Sequence, residues 1–177
     1  MGGEVGEGVP GEFAGGPKQL KKRDCGGDLE MSQENSSRWS AATDRVLRGA
    51  GWYPGRSVPT GEWESTLRER GGFEMHESAR RFLAEFGGLA SNERGPGKTM
   101  ARMGFRLDPT VAEWDAEIFD VLREEAGVDL YPIGESDRRN SYLGMAPNGA
   151  VYVGMDSVTL LAETADRALE KLAEGIR

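Results

Sequence analysis

Gly95-Pro96-Gly97-Lys98-Thr99 ends in the Gly-Lys-Thr of a phosphate-binding loop, the most specific chemical signature in the chain. The rest of that motif is missing. It needs a glycine five residues before Gly97, where Asn92 stands, and a helix immediately afterwards to aim N–H groups at phosphate. The residues that follow alternate instead, with Met103, Phe105 and Leu107 between Arg102, Gly104 and Arg106, so the pentapeptide reads as a polar turn before a strand. His76, the one histidine, titrates near neutrality and could serve as a general base. It stands beside Glu77 at the start of a helical segment, with no serine or cysteine nucleophile motif near it, and reads as a surface or capping residue. Gly-x-Ser-x-Gly, His-Glu-x-x-His and dinucleotide glycine patterns are all missing. Nothing in the residue chemistry favours an enzyme.

Two patterns suit contact rather than catalysis. Glu113, Glu117, Asp120 and Glu124 fall at i, i+4, i+7 and i+11, a carboxylate stripe opposite the apolar residues of a helical segment. Asp115, Glu125 and Asp129 add to it, and only Arg123 offsets it locally. Like charges at i,i+4 repel by a few tenths of a kcal/mol. The stripe is therefore either a docking face for a basic protein or an ordinary solvated face of an acidic one. The turn Trp52-Tyr53-Pro54-Gly55-Arg56 is the second pattern, because Trp, Tyr and Arg dominate interface hot spots. Trp52 and Arg56 are its candidate contacts, unless the turn closes a core between two helices.

The elements that would position these residues come from periodicity and punctuation. Ser40 can cap a helix carrying Thr43, Val46, Leu47 and Ala50, stopped by Gly51. Thr60 opens a second with Trp63 and Leu67 inward, stopped by Gly71-Gly72. Met75, Ala79, Phe82, Leu83 and Phe86 form the clearest apolar stripe, ended by Gly87-Gly88. Leu89 can begin a strand that partners the alternating segment. Asp108-Pro109 opens a long fourth helix with Val111, Trp114, Ile118, Val121 and Leu122 inward and Gly127 as its stop. Leu130-Tyr131-Pro132-Ile133 reads as an edge strand, since proline removes a ladder donor. Pro147-Asn148-Gly149 joins two strands in a hairpin, and a last helix runs from about Ala162 to Glu174. The order predicts an α+β domain over residues 38–177: a small, mostly antiparallel or mixed sheet covered by helices.

Residues 1–37 show no apolar periodicity and many glycines, the composition of a disordered tail. Met31 is a plausible alternative start, with purine-rich codons expected for the Gly26-Gly27-Asp28 ahead of it. At 177 residues there is room for one domain and that tail. A net charge of −8 disfavours a partner bound through its phosphates and favours a cationic one. One cysteine, Cys25, permits no internal disulfide, and with a single histidine it excludes a His/Cys zinc cluster. No stretch approaches the roughly 18 apolar residues of a membrane helix, so the cytoplasm is the expected compartment. The oligomeric state is left open.

Four segments resemble, in order, the third type of SUKH immunity domain. They run from Arg45 to Arg56, Ala79 to Leu89, Leu130 to Glu135, and Val158 to Leu161 with the helix from Thr164 to Leu172. The polar loop after Asp137-Arg138-Arg139 departs from that pattern at Asn140-Ser141, which makes a partner-specific role for it an expectation. The resemblance implies a SUKH-like fold and a place in bacterial polymorphic toxin systems. It implies a cognate toxin domain as partner, often a nuclease, with no catalytic residues and no cofactor. The acidity of the chain makes a basic toxin the expected one. A protein-interaction adapter of the same fold outside a toxin system is the alternative.

Overall fold

The structure, a computed structural model, describes residues 38–177. The expected tail lies outside the described residues.

Three helices come first. Helix α1 (Ala41–Gly49) starts where the Ser40 hydroxyl accepts the Thr43 N–H, and it buries Thr43, Val46 and Leu47. Helix α2 (Gly61–Gly71) buries Leu67 and stops at Gly72, whose φ of 65° is left-handed. Helix α3 (Glu77–Phe86) buries Ala79, Phe82, Leu83 and Phe86, the stripe expected from spacing. Thr60 stands at the α2 N-cap without a side-chain hydrogen bond.

The main sheet has six antiparallel strands in the order β1-β4-β5-β6-β7-β8, formed by Ala90–Ser91, Phe105–Arg106, Tyr131–Ser136, Ser141–Met145, Val151–Gly154 and Val158–Ala162. A separate hairpin pairs β2 (Gly95–Pro96) with β3 (Ala101–Arg102). Strand β5 and all of β6 after Ser141 are buried, so packing covers both faces of the sheet's centre. Helix α3 packs on β5, and helix α4 (Ala116–Ala126) on β8. Helix α5 (Ala165–Glu174) packs on α1 and β8.

Four expectations change. The alternating segment is split at Met103-Gly104 between two sheets: Arg102 belongs to the small hairpin and Phe105 to the main sheet. Met103 is consequently exposed, while Phe105 and Leu107 are buried. Tyr131–Ser136 is not an edge strand, because β6 pairs along its length and β4 joins it at Glu135 and Ser136. Pro132 is tolerated because its half of the strand extends past β4.

The long fourth helix is also two pieces. A 3₁₀ turn (Pro109–Ala112), capped by the Asp108 carboxylate, precedes a turn at Glu113-Trp114, and α4 begins after Asp115. The 3₁₀ turn advances three residues per turn rather than 3.6, so it resets the phase of everything after it. Phe119 and Leu122 point inward, whereas Trp114 and Val121 are exposed, Trp114 by 73%. Finally, β8 was not expected as a strand. It lies at one edge of the sheet and leaves Thr159 and Leu160 exposed, which hides the period-two signal.

Candidate partner-binding surface

The break before α4 reshapes the carboxylate stripe. Glu117, Asp120 and Glu124 lie on α4 and are exposed. Glu113 is not on that helix; it is half-buried in the turn before it and pairs with Arg70 of α2 at 2.9 Å. Asp120 is partly neutralised by Arg123 at 3.1 Å, whose guanidinium also meets Asp129 and lies over the Phe73 ring. Asp115 accepts the Tyr142 hydroxyl, and Glu125 accepts the Val158 N–H, which ties α4 to β6 and β8. Three solvated carboxylates on one helix remain, not four.

The aromatic turn is largely committed inward. Trp52 is buried, meets Trp39 edge-on with centroids 5.0 Å apart, and donates its indole N–H to Glu85 at 3.1 Å. Arg56 donates to the carbonyls of Glu85 and Gly87 at 2.5 and 2.7 Å, closing the C-terminal end of α3. Tyr53, 57% exposed, is the ring this turn offers to solvent.

The Gly-Lys-Thr segment does aim backbone N–H groups at oxygen, but at a helix end rather than at phosphate. Lys98 N–H donates to the Glu174 carbonyl, and Thr99 and Met100 both donate to the Gly175 carbonyl, at 2.9–3.0 Å. These are among the acceptors the end of α5 leaves without intrahelical partners. The chain passes so close that a Cβ on Gly97 would stand 2.3 Å from the Met100 oxygen and 2.6 Å from the Glu174 oxygen. The Lys98 ammonium lies against the Glu174 carboxylate, a cation at the negative end of a helix. Glu174 is buried, and the Ser40 and Thr43 hydroxyls donate to its Oε1, Thr43 at 2.8 Å. Burial pushes its pKa up, but hydrogen bonds from Lys98, Ser40 and Thr43 and the ammonium charge outweigh this and bring it to about 2.

His76 caps α3: its Nδ1 accepts the Ala79 N–H at 3.2 Å, which leaves Nε2 to donate to the Met145 carbonyl at 2.9 Å. Both nitrogens are engaged in structure. Among the described residues no group of three or more His, Cys, Asp and Glu side chains is placed to hold a metal ion, and no helix is long and apolar enough to cross a membrane.

The loop joining β5 to β6 is a feature that residue spacing does not signal, although its polarity marked it. Asp137, Arg138 and Arg139 have φ of 49°, 56° and 68°, three consecutive non-glycine residues in the left-handed region. That conformation costs about 1–2 kcal/mol per residue, so neighbours must hold it. The Asp137 N–H donates to the Gly104 carbonyl, Asn140 N–H closes the turn on the Asp137 carbonyl, and the Asp137 carboxylate takes Arg94 and the Asn140 amide. Arg138 and Arg139 are thereby set at the rim of a cleft of about 410 Å³ that Arg94, Arg106 and Glu135 also line.

A family model described as SUKH-3 immunity protein matches residues 39–175. No curated protein and no solved structure matches the chain.

Proposed function

The chain belongs to the SUKH-3 immunity protein family, and we propose that it protects its bacterial host by binding a cognate toxin in the cytoplasm, without catalysing a reaction. One observation carries this reading: the match takes in every helix and strand of the described domain. Residue chemistry supports binding, since His76 has both ring nitrogens occupied as a helix cap. The toxin face we infer is basic, and Glu117, Asp120 and Glu124 are its first contacts. Exposed carboxylates of this kind speed encounter through long-range attraction more than they deepen affinity. Glu113 flanks them, while Trp52 and Arg56 shape the turn that presents Tyr53.

The test is co-expression with the C-terminal domain of a toxin encoded beside this gene, nucleases being the first class to try. Survival of the cells, with a complex that co-elutes on gel filtration, supports the proposal. Toxicity undiminished by the protein, together with stable capture of unrelated intracellular proteins, would replace it with the adapter reading.

A further inference from the structure

We propose that the cleft beneath the β5–β6 loop is a second toxin contact, of opposite charge to the α4 stripe, which receives an acidic side chain of the toxin. The inference rests on the immunity reading and concerns where and how the partner is held.

Four arginines and one carboxylate line this cleft in a protein whose net charge is −8. Such a concentration of positive charge runs against the composition of the chain. Its residues come from three places: Arg94 from the segment after β1, Arg106 from β4, and Arg138 and Arg139 from the left-handed loop. Glu135 faces Arg106 across the β4–β5 ladder and is buried, with its carboxylate 3.6 Å from both the Arg106 and the Arg139 Nε. At that separation Glu135 attracts the two guanidiniums without taking their N–H groups in hydrogen bonds. It acts as a positioning residue that draws both guanidiniums to the edge of the cleft. Arg138 makes no ion pair within the described domain (Arg94, Arg106 and Arg139 each do), so it is the cation most open to a partner. Guanidiniums fit carboxylates in two-pronged geometry, which makes an Asp or Glu of the toxin the matching group.

A hydrophobic anchor adjoins the cleft. Trp114 lines a smaller depression of about 260 Å³ together with Arg106 and Arg139, the same two arginines that border the larger one. Arg139 lies beside Tyr142, whose hydroxyl is held by Asp115, so the cleft adjoins the turn that presents Trp114. An exposed tryptophan set among arginines has the composition of an interface hot spot. Immediately after it comes α4 with its carboxylates. The toxin would therefore meet a cationic cleft, an aromatic anchor and an anionic helix, and opposite charges on either side of an anchor fix orientation as well as attraction.

The experiment uses the full chain and its co-expressed toxin domain in a binding titration. Arg138→Gln and Trp114→Ala should each weaken the complex about tenfold or more, with the thermal midpoint of the free protein unchanged. Arg138→Lys should recover much of the loss, and Arg138→Glu should be rescued by an Asp→Lys or Glu→Lys change on the toxin. A wild-type complex whose affinity stays within twofold in both the Arg138→Gln and the Trp114→Ala variants would overturn the assignment and leave the immunity reading standing. No complex with the wild-type chain would remove both. Competition by a single-stranded oligonucleotide that is lost in Arg138→Gln would assign the cleft to phosphate, and that too would overturn it.

Discussion

Replacing Glu174 with glutamine keeps the side chain's size, deletes its charge and turns one of its two acceptor oxygens into a donor, so the pH dependence of the effect reads what ionisation contributes where α1 and α5 meet. In the folded protein the carboxyl titrates at about 2, against an ordinary 4.5. At 1.36 kcal/mol per decade this difference sets a ceiling of about 3 kcal/mol on the stability linked to ionisation. Lys98, the counter-ion, is 59% exposed, so solvent screening lowers the expected figure to about 2 kcal/mol. Because the folded value is depressed, this stabilisation is complete above pH 4.5 and is lost as the pH falls from there towards 2. Urea unfolding of the parent and Glu174→Gln should differ by about 2 kcal/mol at pH 7, by roughly half that at pH 3, and by almost nothing below pH 2. The slopes against urea should match. A difference that stays constant between pH 7 and pH 2.5 would show that the site depends on hydrogen-bond geometry alone, and the electrostatic argument would be wrong.

Phe82→Ala should cost about 3–5 kcal/mol, because Phe82 is buried and packs against Phe86 with centroids 5.2 Å apart; chemical denaturation measures it directly. Gly97→Ala would drive a methyl group into the Met100 and Glu174 carbonyls, so its thermal midpoint should fall by roughly 5–10 °C, the equivalent of about 2–3 kcal/mol. Gly49→Ala meets open space at the end of α1 and should raise stability by up to about 1 kcal/mol. The triple variant Glu117→Gln, Asp120→Asn, Glu124→Gln should fold normally and bind the toxin with a slower association rate that has lost its salt dependence. Stopped-flow association at low and moderate salt distinguishes this from a faster off-rate, which would mean that the carboxylates are buried contacts.

Local signals carried much of the fold. Ser40, Gly51, Gly72 and the Pro147-Asn148-Gly149 turn punctuate the chain where the structure does, and the α3 stripe is buried residue for residue. The departures share a cause: a phase counted through a break. Met103 belongs to an alternating run only if Gly104 continues the strand. Instead the backbone there approaches Ser91 so closely that a Cβ would sit 2.7 Å from its oxygen, and the chain changes sheets. Trp114 and Val121 fall on the inner face only if 109–127 is one helix, and Glu113 joins the stripe on the same condition. The cationic cleft was less legible still. Arg94, Arg106, Arg138 and Arg139 lie up to 45 positions apart, and what gathers them is strand pairing and a left-handed loop that no spacing rule encodes.

The clasp around α5 also bears on when the protein can act. Ser40 and Thr43 at the first described helix, and Lys98 between that helix and α5 in sequence, converge on Glu174 in the final turn of α5. A ribosome adding about 5–20 residues per second will have made α1 long before the residue that completes its packing. Contacts this distant in sequence bring no reward until both ends are present. The domain therefore closes only after α5 has emerged, and a chain stalled before Glu174 should expose α1 to proteases instead of sheltering the cell. Protection, on this view, waits for α5.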